Sequence, residues 1–139
     1  MKISVLLPIY NKTTFSEFIK SFNSIINQTK KSDEIIIIFD GMVKFDIRFY
    51  LRNFKKVKII QNSANMGLGI SLSKGLIKCK GDIIIRQDSD TFNNQKRFFY
   101  LWKNISLYKY DIIGSYMTEN FKNNFTAIRK VPLEQNKIY

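Results

Sequence analysis

Gly81-Asp82-Ile83-Ile84-Ile85-Arg86-Gln87-Asp88-Ser89-Asp90-Thr91 is the stretch on which the fold turns. A β-branched run, Asp82 to Gln87, leads straight into an acidic turn, the pattern of a buried strand that ends at a ligand crevice. Upstream, Leu68 to Cys79 reads as a helix with Leu68, Leu72, Leu76 and Cys79 on one side, and Gly81 stops it. Before that come a strand, Val57 to Gln61, and a polar, glycine-containing loop, Asn62 to Gly69.

The same alternation extends to the N-terminus. Ile3 to Leu7 is nearly all apolar, as in a strand buried on both faces, and Pro8 is expected to end it. Thr14 and Glu17 form a capping box, and Phe15, Phe18, Ile19, Phe22, Ile25 and Ile26 recur at helical spacing behind it. A second strand, Glu34 to Phe39, runs into Asp40-Gly41, and a short helix is expected over Phe45 to Phe54. Downstream, Phe98 to Ile105 reads as a helix and Asp111 to Met117 as a fifth strand. Strands alternating with helices predict an α/β fold, a mostly parallel sheet flanked by helices, in one domain over residues 1–139.

Composition narrows the chemistry. The 139 residues carry 23 Lys+Arg against 11 Asp+Glu, a net charge of +12, with no histidine. Every mechanism that needs an imidazole is therefore excluded, and carboxylates must carry any acid-base or metal chemistry. Cys79 is the single cysteine, so no internal disulfide forms and a reducing compartment suits the chain. The lysines are spread along the chain rather than blocked together, which weakens a nucleic-acid reading; a basic face against an anionic membrane fits the charge better. The N-terminal apolar stretch is cut by Pro8 and Asn11-Lys12 and reads as a strand rather than a signal peptide. No other apolar run approaches the roughly 20 residues of a membrane span, so a soluble or peripheral protein is expected.

Asp88 and Asp90 are two residues apart. In an extended segment both would project to one side, where a divalent cation would relieve their repulsion, and hard oxygen ligands favour Mg²⁺ or Mn²⁺. The spacing equally suits a solvated turn in which Asp90 caps the next helix. Asp40, at the end of its own strand, either accepts from a nucleobase or ribose or makes an Asx-turn before Gly41. Tyr10 either stacks on a base or packs at the rim. Competing motifs fail on spacing: Gly67-Leu68-Gly69 has Leu72 where a dinucleotide fingerprint needs glycine. Lys74 is followed by Gly75 rather than Ser or Thr, and Phe92 stands where a phosphatase DxDx motif needs Thr or Val.

Taken together, Ile3 to Asn11, Asp33 to Gly41, Asn65-Met66-Gly67-Leu68-Gly69 and Gly81 to Asp90 resemble, in order and spacing, the N-terminal half of the family 2 glycosyltransferases, a GT-A-fold group that makes bacterial surface polysaccharides. Arg129-Lys130-Val131-Pro132 resembles a segment found in capsule and exopolysaccharide enzymes of that group. The resemblance implies a nucleotide-diphosphate sugar donor, most naturally a UDP-sugar, a Mn²⁺ or Mg²⁺ ion, a glycan or lipid-linked acceptor, and inversion at the anomeric carbon. A cytoplasmic location, peripheral at the membrane face, is expected from the charge and the single cysteine. By position, Pro8, Ile9 and Tyr10 match the nucleoside pocket and Asp40 the acid at the base; Asp88 and Asp90 match the metal-binding DxD pair, with Asp88 also near the ribose and phosphate.

The chain departs from the family pattern at Phe39 and Met42 in the Asp-Asp-Gly-Ser block, and at Leu72-Ser73 where many members have Arg-Asn. The family's catalytic base and acceptor-binding half are expected beyond residue 139, and neither Glu119 nor Glu134 sits in a base motif. The alternatives are a non-catalytic α/β nucleotide-binding fragment and a basic nucleic-acid-binding module.

Overall fold

The computed structural model describes residues 1–120 and 126–130. The elements run β1 (Ile3–Tyr10), α1 (Phe15–Ile26), β2 (Glu34–Asp40), α2 (Phe45–Leu51), β3 (Val57–Gln61), α3 (Leu68–Leu76), β4 (Ile83–Arg86), α4 (Arg97–Tyr108), β5 (Met117–Asn120) and β6 (Thr126–Arg129). The first four strands form one sheet in the order β3-β2-β1-β4, with every neighbouring pair parallel. The chain steps outward from β1 to β3 and then jumps to the far side of β1 for β4. That reversal opens a crevice at the carboxyl end of the sheet, where ligands of open α/β sheets bind.

Strand alternation sends two sets of side chains to two faces. Ile3, Val5, Leu7 and Ile9 of β1 join Ile35, Ile37 and Phe39 of β2 and Ile83 and Ile85 of β4. Onto this face pack Phe18, Phe22 and Ile25 of α1, Ile47 and Leu51 of α2, and Phe98 and Leu101 of α4. The opposite face, Leu6, Ile36 and Ile38, receives Leu72 of α3 and Cys79 just beyond it. The helix comes in close because residue 75 is glycine; a Cβ there would lie 2.3 Å from Leu6 Cδ1 and 2.6 Å from Ile38 Cδ1.

Three expectations need correction. Pro8 does not end its strand: β1 runs on to Tyr10, paired along β2 as far as Tyr10↔Asp40. Even-numbered residues of β1 face β4, as the Gln87 N–H donating to Leu6 O shows, and the β4 ladder stops at Leu6↔Arg86. The N–H that Pro8 lacks thus falls where no strand needs it. Residues 111–116 form no strand; only Met117 of that segment is extended, in an antiparallel pairing of β5 with β6. The β-prone residues 111–116 meet no strand partner, and propensity without pairing does not make a strand. On α3, Leu68 and Leu76 are exposed, and Ser71, Leu72 and Gly75 face inward instead. The Thr14–Glu17 capping box is present as expected. Val131, Pro132 and Glu134 lie outside the described residues.

Candidate functional site

A cavity of about 390 Å³ opens at the carboxyl end of the sheet. Its wall includes all six of the residues singled out above: Pro8, Ile9 and Tyr10 from the end of β1, Asp40 from the end of β2, and Asp88 and Asp90 after β4. Asn65, Gly67, Leu68 and Ser71 close a further side, and Arg86 and Ser89 complete it.

Asp40 is buried, and its carboxylate is filled by the loop between β3 and α3. Oδ1 accepts from Asn62 Nδ2 at 2.9 Å and from the Met66 N–H at 2.8 Å; Oδ2 accepts from the Gly67 N–H at 2.9 Å. Burial alone would raise its pKa, but the Met66 N–H, Asn62, Ser71 and the Gly67 N–H outweigh that and hold it below the usual value. Asn62 is itself held by donating to Ser71 Oγ at 2.8 Å and accepting from Lys74 Nζ at 3.0 Å. Gly41 makes the approach possible: its φ is +83°, and a Cβ would lie 2.9 Å from Asn65 N. Asp40 is therefore no simple Asx-turn residue; it fixes the loop that forms one wall of the cavity.

The acidic stretch is a turn rather than a strand extension. β4 ends at Arg86, and the Thr91 N–H donates to Asp88 O at 3.3 Å. Buried Gln87 clamps it, its Nε2 donating to Thr91 O at 2.8 Å and Asp88 O at 3.1 Å, while Ser21 Oγ donates to Asp88 O at 3.0 Å. Thr13 and Ser89 hydroxyls meet at 3.0 Å beneath it. Strand alternation thus does not bring Asp88 and Asp90 together; the clamped turn presents both at the cavity. Asp90 does not cap the next helix, whose N-cap is Lys96.

Two residues before Asp88, Arg86 grips it, with Nε to Oδ1 at 3.1 Å and Nη2 to Oδ2 at 3.2 Å. Arg86, Asn62, Ser71 and Gln87 are the residues that sequence reasoning missed. The Arg86–Asp88 spacing was a visible signal; Asn62 and Ser71 reach Asp40 only through the fold. Leu72, at the departure from Arg-Asn, packs into the sheet rather than the cavity. Glu119 pairs with Arg129 across the β5–β6 hairpin. Among the described residues no three acidic or cysteine side chains gather as a metal cage. Two hard carboxylate donors at one cavity fit Mg²⁺ or Mn²⁺, which ordinarily keep water and substrate phosphate as their other ligands.

A parallel sheet with its order reversed at the central strand, and a cavity at its carboxyl end with three aspartates in its wall, define the class of open α/β ligand-binding domains. Within that class, the family model described as glycosyl transferase family 2 matches residues 4–138, and the chain belongs to that family. An uncharacterized glycosyltransferase of Haemophilus influenzae is 33% identical over 144 residues, covering 99% of this chain and 54% of its own length. The Escherichia coli UDP-Gal:alpha-D-GlcNAc-diphosphoundecaprenol beta-1,3-galactosyltransferase is 38% identical over 100 residues, 70% of this chain and 36% of its own. The chain thus spans about half or less of these curated relatives. Staphylococcus aureus TarS 1-349 superimposes with a TM-score of 0.66 at 24% identity, over 76% of this chain and 32% of that one, and supports the fold.

Proposed function

We propose that this domain binds a nucleotide-diphosphate sugar, a UDP-sugar first among them, in the carboxyl-end cavity, and presents it for transfer with inversion to a glycan or lipid-linked acceptor in polysaccharide biosynthesis. The observation that carries the reading is the gathering of Tyr10, Asp40, Asp88 and Asp90 around one cavity in a family 2 chain. The names of relatives agree with it: the E. coli enzyme uses UDP-Gal and a diphosphoundecaprenol-linked acceptor, and TarS 1-349 has been crystallised with UDP and with UDP-GlcNAc.

In this reading Pro8, Ile9 and the half-exposed Tyr10 ring line the nucleoside's place, and the loop pinned by Asp40 closes over it. Asp88 and Asp90 would hold a Mn²⁺ or Mg²⁺ ion, which supplies positive charge to the diphosphate leaving group. Arg86, which holds Asp88 at the cavity wall, is a cation that would face a phosphate oxygen bound there. Inverting transfer needs a base for the acceptor hydroxyl, and Glu119, tied to Arg129, is not assigned to it. The domain works in the cytoplasm, at the membrane face.

Thermal melting of the chain with UDP-, GDP- and dTDP-sugars, with Mn²⁺ or Mg²⁺ and then with chelator, tests this. A donor at about a hundred times its Kd raises Tm by roughly 10 °C. Asp90→Asn removes the metal-dependent part of that shift. Melting that no nucleotide sugar moves, with or without metal, overturns the reading.

A further inference from the structure

Three large apolar side chains stand in water where the chain leaves the cavity rim. Met42 is 86% exposed, Phe45 71% and Phe49 58%. They do not belong to the core, because α2 buries its other side, Ile47 and Leu51. Phe45 and Phe49, one turn apart, stack with ring centroids 6.1 Å apart. The Arg52 guanidinium lies 5.8 Å from the Phe49 ring centroid, extending the stripe by another turn.

Charge says what kind of surface this stripe fits. From Met42 to Lys58 the chain carries six cations against one acid, Asp46. Lys58 is paired with Glu34 and Arg48 with Gln61, whereas Lys44, Arg52 and Lys55, in the same stretch of chain as the aromatic stripe, are exposed. An apolar protein groove would cover the rings and strip water from these cations without replacing it. A nucleic acid would satisfy the cations and leave the Met42 thioether in water. An anionic bilayer accepts both, apolar tips among the acyl boundary and cations among the lipid phosphates.

We propose that Met42, Phe45 and Phe49, together with the exposed Lys44, Arg52 and Lys55 of the same stretch of chain, seat the domain on an anionic lipid bilayer. Met42 follows Asp40, a residue of the cavity wall, by two positions, so the seat begins next to the cavity along the chain. The seat rests on the membrane-face placement proposed above but not on the donor reading, and its test needs no nucleotide.

The 139-residue chain is mixed with vesicles of phosphatidylcholine alone, or with about one-third phosphatidylglycerol, and the bound fraction is read by flotation at low and high salt. Wild type partitions into the anionic vesicles at least about tenfold more strongly, and salt weakens it. Phe45→Ser with Phe49→Ser, at exposed positions, loses about tenfold. Lys44→Glu with Arg52→Glu abolishes the preference for anionic lipid. A second measurement avoids any folding defect: Phe49→Trp gains a blue-shifted emission component with anionic vesicles, and wild type, whose only tryptophan is Trp102 on α4, does not. Equal binding to both vesicle types, no binding, or variants that bind like wild type overturn the proposal. So does a patch covered instead by a second copy, seen as a dimer that Phe45→Ser with Phe49→Ser makes monomeric, or by RNA in the absence of vesicle binding.

Discussion

At Asp40 the acceptor capacity of one side chain decides what it does. A carboxylate offers about four lone-pair sites. Asn62 and the Met66 and Gly67 N–H groups supply three donors, with the Ser71 hydroxyl bonded to Asn62 beside them, and all belong to the polypeptide between β3 and the first turn of α3. Asp40→Ala removes the acceptor of the buried Asn62 amide, at about 1–3 kcal/mol, and of two part-buried N–H groups that water can partly satisfy, so a net loss of roughly 2–4 kcal/mol is expected. Asp40→Asn fares little better, because its amide turns a donor toward donors. Amide exchange at Met66 and Gly67 should quicken in both variants even without nucleotide; unchanged exchange would refute the pinning role. The acid itself was legible as a strand-end residue before glycine. Its partners were not, because Asn62 and Ser71 look like ordinary loop and helix polar residues until β3 lies beside β2 and delivers them. Arg86 is the converse: its spacing to Asp88 was in plain view, but only the turn clamped by Gln87 makes the two side chains meet.

The helices and strands show where pattern suffices and where packing overrides it. Thr14 and Glu17 specify the start of α1 through bonds within four residues, so the sequence alone locates them. The face of α3 is different. Leucines at 68, 72 and 76 suggest a stripe, yet the sheet takes Leu72 with Ser71 and Gly75, because closest approach falls where no Cβ intervenes. The Ile-rich segment near 112 likewise has strand propensity without a strand, since pairing depends on a partner and not on composition. Gly75→Ala tests the α3 contact. Its Cβ would overlap Leu6 and Ile38, and the overpacking, about 1–3 kcal/mol, outweighs alanine's helix preference of about 1 kcal/mol. Denaturant melts should therefore show a net loss of up to about 2 kcal/mol. A stabilised Gly75→Ala would mean that α3 sits farther from the sheet than described.

Across the whole molecule the sheet has a working end and a holding end. Opposite the cavity, Glu34 at the start of β2 ties three other parts of the chain together. Its Oε1 accepts from Ser4 Oγ of β1 at 2.7 Å and from the Lys80 N–H ahead of β4, and its Oε2 pairs with Lys58 Nζ of β3 at 2.6 Å. Burial would raise its pKa, but Lys58, Ser4 and Lys80 overcome this and lower it from 4.5 to about 2. The unfolded chain therefore takes up the proton first as pH falls. Stabilisation by Glu34 is complete above its unfolded value of 4.5 and is lost progressively as pH drops toward about 2. Glu34→Gln removes the ion pair with Lys58 and cannot titrate, so it is less stable than wild type at neutral pH. Asp40, whose pKa is also lowered, contributes to the acid limb of both proteins equally and cancels in the comparison. Stability measured by urea unfolding from neutral pH downward should show a constant gap between the two proteins until about pH 4.5, then a gap that closes by about pH 2. A gap that stays constant to the lowest pH would show that Glu34 holds the strands by shape and hydrogen bonding alone, and that its charge contributes nothing.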